Sequence, residues 1–370
     1  MSKPVLHIRG QILVGPEETL DEIWVVDGRI SLTAPSGSAG DVETIEGWTL
    51  PGLVDAHCHV GLESHGGVPP EQAEEHALAD RDAGALLLRD AGSPNDTSWI
   101  HEREDLPRLI RAGRHIARPK RYIRNFAHEI EPEDLVTYVR REARRGDGWV
   151  KLVGDWIDRD TGDLGTQWPV EELRAAIDAA HEEGARVTAH CFGEQSLRDF
   201  AAAGTDCIEH ATGLLDDTID AFAEQQIAIV PTLVNIDNFP KFAEAGRGKF
   251  PTYADHMMDL YERRYETVAR AREAGVPVYV GTDAGGQLPH GLVAREVEAL
   301  TKAGMSNIEA IGAATWAARE WLHRPGIAEG ESADLVVYRD DPREDLRTMA
   351  DPHRVILRGH VHASQGRHHH

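Results

Sequence analysis

The chain of 370 residues is longer than the ~250–300 residues at which a single hydrophobic core usually stops growing, so one large barrel with an added part, or two domains, is expected. Its formal net charge of −24 disfavours nucleic-acid and membrane partners, because the overall field repels phosphate. The sequence has no apolar run of the ~20 residues that span a membrane, no secretion signal, and no disulfide framework among its three cysteines. These features predict a cytoplasmic protein.

From residue 52 onward, short β-branched runs alternate with longer helical patterns. The runs predict eight strands, at residues 52–59, 84–90, 120–126, 148–154, 185–191, 205–210, 227–233 and 276–283. Several of the helical patterns between them end in glycine, which is a common helix stop. Strands that alternate with helices form a parallel sheet, and eight is the number that closes a (β/α)₈ barrel. The sequence therefore predicts an α/β protein built on a TIM barrel.

The two ends of the chain depart from this pattern. Residues 1–51 and 326–364 have the character of short strands and turns, which predicts a small β-sandwich formed by both terminal segments. The barrel is then expected at 52–325, and residues 365–370 are interpreted as the remnant of an expression tag. The motif SNIE is typical of a capping box that starts a helix at Ser306.

Polar side chains end several of the predicted strands, on the face where barrel enzymes carry their active sites. The segment LPGLVDAHCHVG contains His57 and His59, and since side chains alternate along a strand, both point to one side while Cys58 points away. The other strand ends carry Lys151, His190, His210 and Asp283. A lone strand-end histidine is more often structural than a ligand. Four imidazoles together with one carboxylate form a set of ligands that suits zinc and similar cations.

Lys151 is unusual in this set, because an ammonium beside metal ions would be repelled and desolvated. A desolvated lysine amine is neutral and nucleophilic. Such an amine could take up carbon dioxide and become a carbamate, an anionic oxygen ligand able to bridge two metal ions. The residues alone leave two interpretations of Lys151, which are this bridging ligand and a side chain that extends to the surface.

The whole constellation resembles the amidohydrolase superfamily of metal-dependent hydrolases, over nearly the full length of the chain. LPGLVDAHCH is similar to the family's first-strand signature, and KLVG to the strand that holds its carboxylated lysine. TAHC, IEHAT and GTDAG are similar to the strands of its remaining ligands. GIAEGESADLVVY resembles the segment that closes the family's β-sandwich, and GALLLRDAGSP resembles the branch of imidazolonepropionase-like enzymes and Xaa-Pro dipeptidases.

The resemblance implies a centre with two divalent metal ions, zinc being the expected metal, because members with a lysine on the fourth strand usually carry two. One ion would be held by His57, His59 and Asp283. The second would be held by His190 and His210, with carbamylated Lys151 between the two ions.

The resemblance also implies roles in the reaction itself. Asp283 would be the catalytic residue, taking a proton from the attacking water and delivering it to the leaving amine. From their own positions, at or just beyond the ends of the second and third predicted strands, two interpretations of Arg89, Arg124 and His128 remain open: they bind a substrate carboxylate or carbonyl, or they form surface or structural pairs.

The expected activity is hydrolysis of an amide-type C–N bond in a small molecule: a dipeptide, an N-acyl amino acid or a cyclic amide. Three alternatives remain open at this point. The first is a mononuclear zinc deaminase or imidazolonepropionase-like hydrolase with unmodified Lys151 and with His210 orienting water, and the second is a lactonase or phosphoesterase on the same metal pair. The third is a non-catalytic scaffold that retains the fold. A homo-oligomer is compatible with each of them.

Overall fold

The computed structural model describes residues 5–36 and 42–363. Over these residues it is an α/β structure. The strands are β1 Val5–Leu13, β2 Thr19–Val26, β3 Arg29–Ser31, β4 Val42–Pro51, β5 Leu53–Glu63, β6 Gly66–Gly67, β7 Ala85–Asp90, β8 Arg108–Arg111, β9 Ile116–Ala117, β10 His128–Glu129, β11 Trp149–Val153, β12 Asp155–Asp158, β13 Asp163–Thr166, β14 Arg186–Cys191, β15 Cys207–His210, β16 Ala228–Val230, β17 Ala284–Gly286, β18 Leu335–Tyr338, β19 Arg354–Leu357 and β20 His360–Ala363. The helices are α1 Pro70–Asp82, α2 Leu135–Arg145, α3 Val170–Glu182, α4 Glu194–Ala203, α5 Asp216–Gln225, α6 Leu233–Ile236, α7 Phe239–Arg247, α8 Pro251–Glu262, α9 Arg264–Glu273, α10 Val293–Lys302, α11 Asn307–Ala313 and α12 Trp316–Trp321.

The terminal segments share one seven-stranded sheet with the order β20-β19-β18-β4-β1-β2-β3. Within it, β18 from the C-terminal segment pairs antiparallel with β4 from the N-terminal segment. Leu335 and Val337 of β18 join an apolar cluster formed by residues of the terminal segments, whereas Val336 and Tyr338 join the core of the α/β part. Strands from both ends therefore meet in one sheet, and the two-layered sandwich stays a prediction.

Besides the antiparallel pair of β12 and β13, the middle of the chain forms two sheets whose strands, apart from the short β6, are parallel. One has the order β17-β5-β7-β8 and the other β10-β9-β11-β14-β15-β16. Six of the predicted strands overlap β5, β7, β11, β14, β15 and β16. Because the strands run in the same direction, the residues at their carboxyl ends lie at one face, which is where the candidate site forms.

The predicted eighth strand, at 276–283, joins the two sheets through backbone hydrogen bonds. The amide of Tyr279 donates to the carbonyl of Ile229 at 3.0 Å, and the amide of Ala56 donates to the carbonyl of Val280 at 2.9 Å. This segment therefore lies between β16 and β5. At the other junction β8 pairs with β7 while β9 pairs with β11, so closure of all eight strands into one barrel stays a prediction.

The third predicted strand, at 120–126, is wrong. Lys120 and Asn125 have φ angles of 61° and 70°, in the left-handed region that a strand does not use, and the segment forms turns. Its place is taken by β8 and β9. The apolar residues of KRYIRNF are typical of a strand. In the structure Tyr122 and Phe126 pack against each other from a loop, with ring centroids 6.0 Å apart.

The predicted capping box is confirmed at the start of α11. The amide of Glu309 donates to Oγ of Ser306 at 3.4 Å, and the amide of Ser306 donates to Oε2 of Glu309 at 2.7 Å. Over residues 5–36 and 42–363, the structure has no helix with the length and apolar character needed to cross a membrane.

Candidate metal centre and active site

His57 and His59 lie on one face of β5, and their Nε2 atoms are 3.2 Å apart. Both are buried, with 1% and 5% of their surfaces exposed. Cys58, which lies between them in sequence, joins the apolar cluster that includes Ala73 and Ala77 of α1. The alternation predicted for this strand is therefore present, with the two imidazoles facing one point and the thiol facing the helices.

Asp283 brings a carboxylate to the same point from the end of the predicted eighth strand, at 276–283. Its Oδ1 lies 3.0 Å from Nε2 of His57 and 3.0 Å from Nε2 of His59. Its backbone amide donates to the carbonyl of His57 at 2.7 Å, and its Oδ2 accepts from Nδ2 of Asn235 at 2.6 Å. We call His57, His59 and Asp283 the ligand trio. In the described part of the chain, it is the one group of three such residues whose ligand atoms all lie within 4.8 Å of one another.

Asp55, which sequence reasoning missed, ties the two strands of the trio together. Its carboxylate accepts hydrogen bonds from the amide of His57 at 3.1 Å, from the amide of Thr282 at 3.0 Å and from the hydroxyl of Thr282 at 2.6 Å. Burial raises the pKa of Asp55 to about 7. This side chain fixes the position of His57 relative to the segment that carries Asp283, so it acts on the site through the backbone.

The trio fits a divalent cation, as the polar atoms next to the two rings show. Nδ1 of His59 lies 2.8 Å from the carbonyl of Gly92, which can only accept, so Nδ1 carries the proton and Nε2 presents a lone pair. Nδ1 of His57 lies 2.8 Å from Oε2 of Glu209, which favours the same tautomer. Two lone pairs and a carboxylate oxygen within 3.2 Å repel one another unless a cation lies between them. Metal–ligand distances of about 2.0–2.2 Å are compatible with that spacing.

Charge and burial shape the pKa values of the trio. Burial lowers the pKa of His59, consistent with a neutral ring. Burial alone would also lower the pKa of His57, but the neighbouring Glu209 carboxylate leaves it raised. Burial alone would raise the pKa of Asp283, but His57 beside it holds that pKa well below its ordinary range. Asp283 is therefore an anion that faces two imidazoles.

His190 and His210 lie beside the trio. Their ring centroids are 4.8 Å apart, and the centroid of His210 is 5.2 Å from that of His57. Nδ1 of His210 lies 2.7 Å from the hydroxyl of Thr232. Nε2 of His190 is buried and has no hydrogen-bond partner among the described residues, and burial lowers the pKa of His190 well below its usual value. These rings are available as further ligands at the edge of the trio.

Lys151 lies in the middle of β11 and is 1% exposed, so its side chain does not extend to the surface. Its backbone is level with Thr188 of β14. Burial lowers the pKa of Lys151, which favours the neutral amine. The surface interpretation left open by the sequence therefore does not fit this side chain.

Glu209 and Arg89 form a fully buried ion pair, with Nη2 of Arg89 2.7 Å from Oε1 of Glu209. The guanidinium also donates from Nε to the carbonyl of Ala56 at 2.7 Å and lies over the ring of Trp149 at 4.5 Å. Burial alone would raise the pKa of Glu209, but Arg89 holds it well below its usual range. Sequence reasoning missed Glu209, and Arg89, predicted to bind substrate, is 0% exposed and contacts this carboxylate instead.

The other two predicted substrate-binding residues lie away from the trio. Arg124 is exposed in the loop that follows β9. Nε2 of His128 donates to Oε1 of Glu142 at 2.8 Å, and its ring packs on Tyr138 with centroids 5.1 Å apart. Neither residue lines the cavity above the trio.

A cavity of about 430 Å³ opens directly above the trio, with His59, His190 and Asp283 at its base. Its walls are mainly aromatic, and the aromatic residues are Tyr122, Phe126, Trp156, Phe192, Phe242, Phe250 and Tyr253. Lys249 is the one Lys or Arg side chain among its lining residues in the described parts of the chain. Sequence reasoning missed this cavity, because its rings come from loops, from helices and from strand β12, which are far apart along the chain.

His115 is a further histidine that sequence reasoning missed. It is 0% exposed, its ring centroid lies 5.2 Å from that of His59, and its Cε1 is next to Gly92. Within the described residues neither ring nitrogen has a hydrogen-bond partner, and burial lowers the pKa of His115 well below the usual value. The His115 ring is therefore neutral and packs beside the ring of His59.

Comparisons with known proteins identify the family of the chain. The model of the Amidohydrolase family matches residues 154–361. An uncharacterized protein of Mycobacterium tuberculosis is 58% identical over 355 residues, covering 96% of this chain and 95% of its own. Ochratoxinase of Aspergillus niger is 27% identical over 231 residues, covering 60% of this chain and 47% of its own.

Two solved structures share the fold at low sequence identity. A Xaa-Pro dipeptidase with bound methionine in the active site has a TM-score of 0.81 at 23% identity, covering 98% of this chain and 100% of its own. Aspergillus niger ochratoxinase has a TM-score of 0.80 at 21% identity, covering 99% of this chain and 97% of its own. The two structures show the shared fold, whereas the family model, which matches more than half of the chain, shows that this chain belongs to the amidohydrolase family.

Proposed function

We propose that the chain is a binuclear metal-dependent amidohydrolase that cleaves an amide-type C–N bond in a small molecule with a large apolar group. The observation that carries the proposal is the convergence of the ligand trio at the base of the aromatic cavity, with separations of 3.0–3.2 Å. Membership of the amidohydrolase family supports hydrolysis of an amide bond.

Two divalent ions, zinc in this proposal, would be held around this point. The trio would hold the first ion, and His190 and His210 would hold the second, with carbamylated Lys151 as a ligand of both. The burial of Lys151 and its lowered pKa support carbamylation, because a neutral amine is the form that reacts with carbon dioxide. Bound ions of this kind acidify a water molecule and polarise a carbonyl group.

Asp283 is the residue proposed to move the proton. It lines the cavity, and the hydrogen bond from Asn235 to its Oδ2 at 2.6 Å fixes the plane of the carboxylate. In the proposed reaction Asp283 takes a proton from the attacking water and gives it to the leaving nitrogen. Glu209 would act as a positioning residue, because its contact with Nδ1 of His57 at 2.8 Å keeps Nε2 of that ring directed at the site.

The cavity supports an aromatic or other large apolar group next to the scissile amide. Seven aromatic rings line its walls, and Trp156 and Phe192 both pack against His190, with ring centroids 5.7 Å and 4.3 Å away. Lys249 supplies a cation that suits a substrate carboxylate. Dipeptides and N-acyl amino acids with an aromatic side chain therefore fit better than small cyclic amides.

A mononuclear deaminase or imidazolonepropionase-like hydrolase is the second candidate. The observation that favours it is that the trio is complete by itself, whereas His190 and His210 lie outside the group of ligand atoms within 4.8 Å. In that case Lys151 would be unmodified and His210 would orient water.

We also propose how the chain is divided into domains. Residues 52–325 would close into a (β/α)₈ barrel, which the hydrogen bonds of Tyr279 and Ala56 support. Residues 1–51 and 326–364 would form the small β-sandwich, and the shared seven-stranded sheet supports this division. A cytoplasmic location, a small-molecule substrate as the partner and a possible homo-oligomer stay predictions.

A paired substrate panel tests the proposed activity. Dipeptides and N-acyl amino acids are assayed in matched pairs, aromatic against aliphatic, alongside lactones and aminopurines, with wild type, His59→Ala and Cys58→Ser. We expect amine release with kcat/KM at least about tenfold higher for aromatic members, which is the discrimination that a few buried methylene groups supply. His59→Ala should lose this activity and Cys58→Ser should retain it. Turnover of lactones or aminopurines without turnover of any amide would contradict the proposal.

A further inference from the structure

A second cavity, of about 470 Å³, lies between the terminal sheet and the amino-terminal face of the parallel strands. Arg108 begins β8, and Arg319 donates from Nε and Nη2 to the carbonyl of Gly52, just before β5, at 3.0 and 2.7 Å. His57 and His59 lie five and seven residues further along the same chain, so this cavity is roughly 20 Å from the ligand trio at ~3.3 Å per residue. We call it the arginine cavity. It is separate from the proposed active site.

Positive charge dominates the arginine cavity. Its lining arginines are Arg29, Arg108, Arg319, Arg324 and Arg358, and its lining acids are Asp27, Glu331 and Asp334. Its formal charge is thus +2, in a protein whose net charge is −24. Asp334 is already engaged, because its Oδ2 accepts from Nε of Arg108 at 2.7 Å and its Oδ1 accepts from the amide of Arg358 at 2.8 Å.

Four of the guanidinium groups contact main-chain carbonyl oxygens, and that of Arg358 donates to the carbonyls of Glu104 and Leu106, both at 2.8 Å. Arg319, which is 3% exposed, donates to Gly52 and, from Nη1, to Pro325 at 3.0 Å. Arg29 donates to the carbonyl of Gly330 at 2.8 Å. Arg324 donates to the carbonyl of His323 at 3.2 Å. Carbonyl oxygens carry only partial charge, so these contacts orient the guanidinium groups without neutralising them.

The pKa values of two of these arginines reflect their burial. Burial lowers the pKa of Arg319 to about 10. Burial also lowers the pKa of Arg358, and the nearby Arg108 adds to that effect. A structural role accounts for Arg319, which holds the start of β5 to the end of α12. It does not account for Arg29 and Arg324, which are exposed at the rim.

We propose that the arginine cavity binds a compact polyanion that carries phosphate or carboxylate groups. Planar guanidinium groups bind both kinds of oxyanion through paired hydrogen bonds, and several from different segments can surround one ligand. The volume is within the range of ligand cavities in proteins. Because the cavity is formed by the terminal sheet, by β8 and by the end of α12, the bound anion would hold the two parts of the protein together. The inference does not depend on the proposed hydrolase activity.

Equilibrium dialysis of the metal-loaded protein tests this inference, with fructose 1,6-bisphosphate as the phosphate probe and tricarballylate as the carboxylate probe. The test variant is Arg29→Gln/Arg324→Gln, since both side chains are exposed and their replacement leaves the buried contacts intact. The control is Arg174→Gln, an exposed arginine on α3 that pairs with Glu171. His59→Ala serves as a second control that identifies anions bound at the metal centre.

We expect one probe to bind with one-to-one stoichiometry and a Kd below about 1 mM, and the responding probe distinguishes phosphate from carboxylate. Affinity should fall at least about tenfold in the Arg29/Arg324 variant, since each replacement removes a charge-assisted hydrogen bond to the anion. It should be unchanged in Arg174→Gln and in His59→Ala. The inference is overturned if neither probe saturates, if the Arg29/Arg324 variant binds as wild type does, or if His59→Ala abolishes binding.

Discussion

Oε2 of Glu209 lies 2.8 Å from Nδ1 of His57, and both side chains are buried, with 0% and 1% of their surfaces exposed. The same carboxylate is paired through Oε1 with Nη2 of Arg89 at 2.7 Å. One anion therefore neutralises a buried guanidinium and orients an imidazole of the trio. Through the contact between Glu209 and His57, the buried Glu209–Arg89 pair adjoins the candidate metal centre.

Glu209→Gln should destabilise the protein and weaken metal binding. It leaves the Arg89 charge buried without a counter-charge, and losing one partner of a buried pair costs about 3–5 kcal/mol of unfolding free energy. Loss of a carboxylate partner from a ligating histidine typically weakens metal affinity about 10–100-fold. Urea unfolding and zinc titration measure the two effects, with the exposed Glu224→Gln as control. Wild-type values for both quantities in Glu209→Gln would rule out this role.

Lys151→Ala should keep the fold, weaken the second ion and strongly lower kcat. Bicarbonate or a short carboxylic acid should restore part of the activity by supplying the missing oxygen ligand in the vacated space. Lys151→Arg should be inactive, because a guanidinium stays cationic and forms no carbamate. Steady-state kinetics with and without bicarbonate check this, and an active Lys151→Arg enzyme would contradict carbamylation.

Lys249→Met should raise KM for substrates that carry a free carboxylate and leave KM unchanged for the matching carboxamides. The expected rise is about tenfold or more, because a hydrogen bond to a charged group contributes about 1.5–3 kcal/mol. Lys241→Met is a matched control, since Lys241 is an exposed lysine on α7 outside the lining of the cavity. Equal KM changes for acids and carboxamides would show that Lys249 does not bind the carboxylate.

His256 should make folding stability depend on pH on the alkaline side. Its ring lies 2.9 Å from Asp163 and 2.9 Å from Glu194, and the hydrogen bond to Glu194 raises its pKa from 6.5 to about 9. A raised histidine pKa means that this stabilisation is fully present below pH 6.5 and is lost as the pH rises through about 9.

The unfolding free energy of wild type should therefore fall between about pH 6.5 and pH 9.5 relative to that of His256→Gln. Urea unfolding at a series of pH values measures this difference, with the exposed His65→Gln as control. A difference between wild type and His256→Gln that does not change across this range would contradict the bridging role of the protonated ring.

The local sequence pattern was sufficient to predict that the trio converges, but it was not sufficient to predict the residues around the trio. Alternation along one strand places His57 and His59 on one side, and parallel strands bring Asp283 to them, so periodicity alone leads to the observed convergence. The ligand roles themselves stay predictions. The third strand was missed because the apolar residues of KRYIRNF pack inward from a loop whose left-handed residues periodicity does not reveal.

The environment of the site depends on contacts between distant segments. Arg89 was predicted to bind substrate. In the structure it is buried and donates to Glu209, which lies 120 positions later in the sequence. The aromatic cavity is assembled from rings between Tyr122 and Tyr253 that lie far apart along the chain, so no local sequence pattern indicates it. A glutamate that directly precedes a predicted ligand, as Glu209 precedes His210, is the one sequence signal that could have indicated its role.

The binuclear centre is best tested by a crystal structure of the protein purified without added chelator, with anomalous data at the zinc edge. We expect two anomalous peaks, one within about 2.2 Å of the trio's ligand atoms and one beside His190 and His210, with carbamate density on Lys151 between them. One peak at the trio, with an unmodified Lys151 in an active enzyme, would contradict the binuclear centre and favour the mononuclear hydrolase. No peak at the trio in an active enzyme would contradict the metal-dependent mechanism itself.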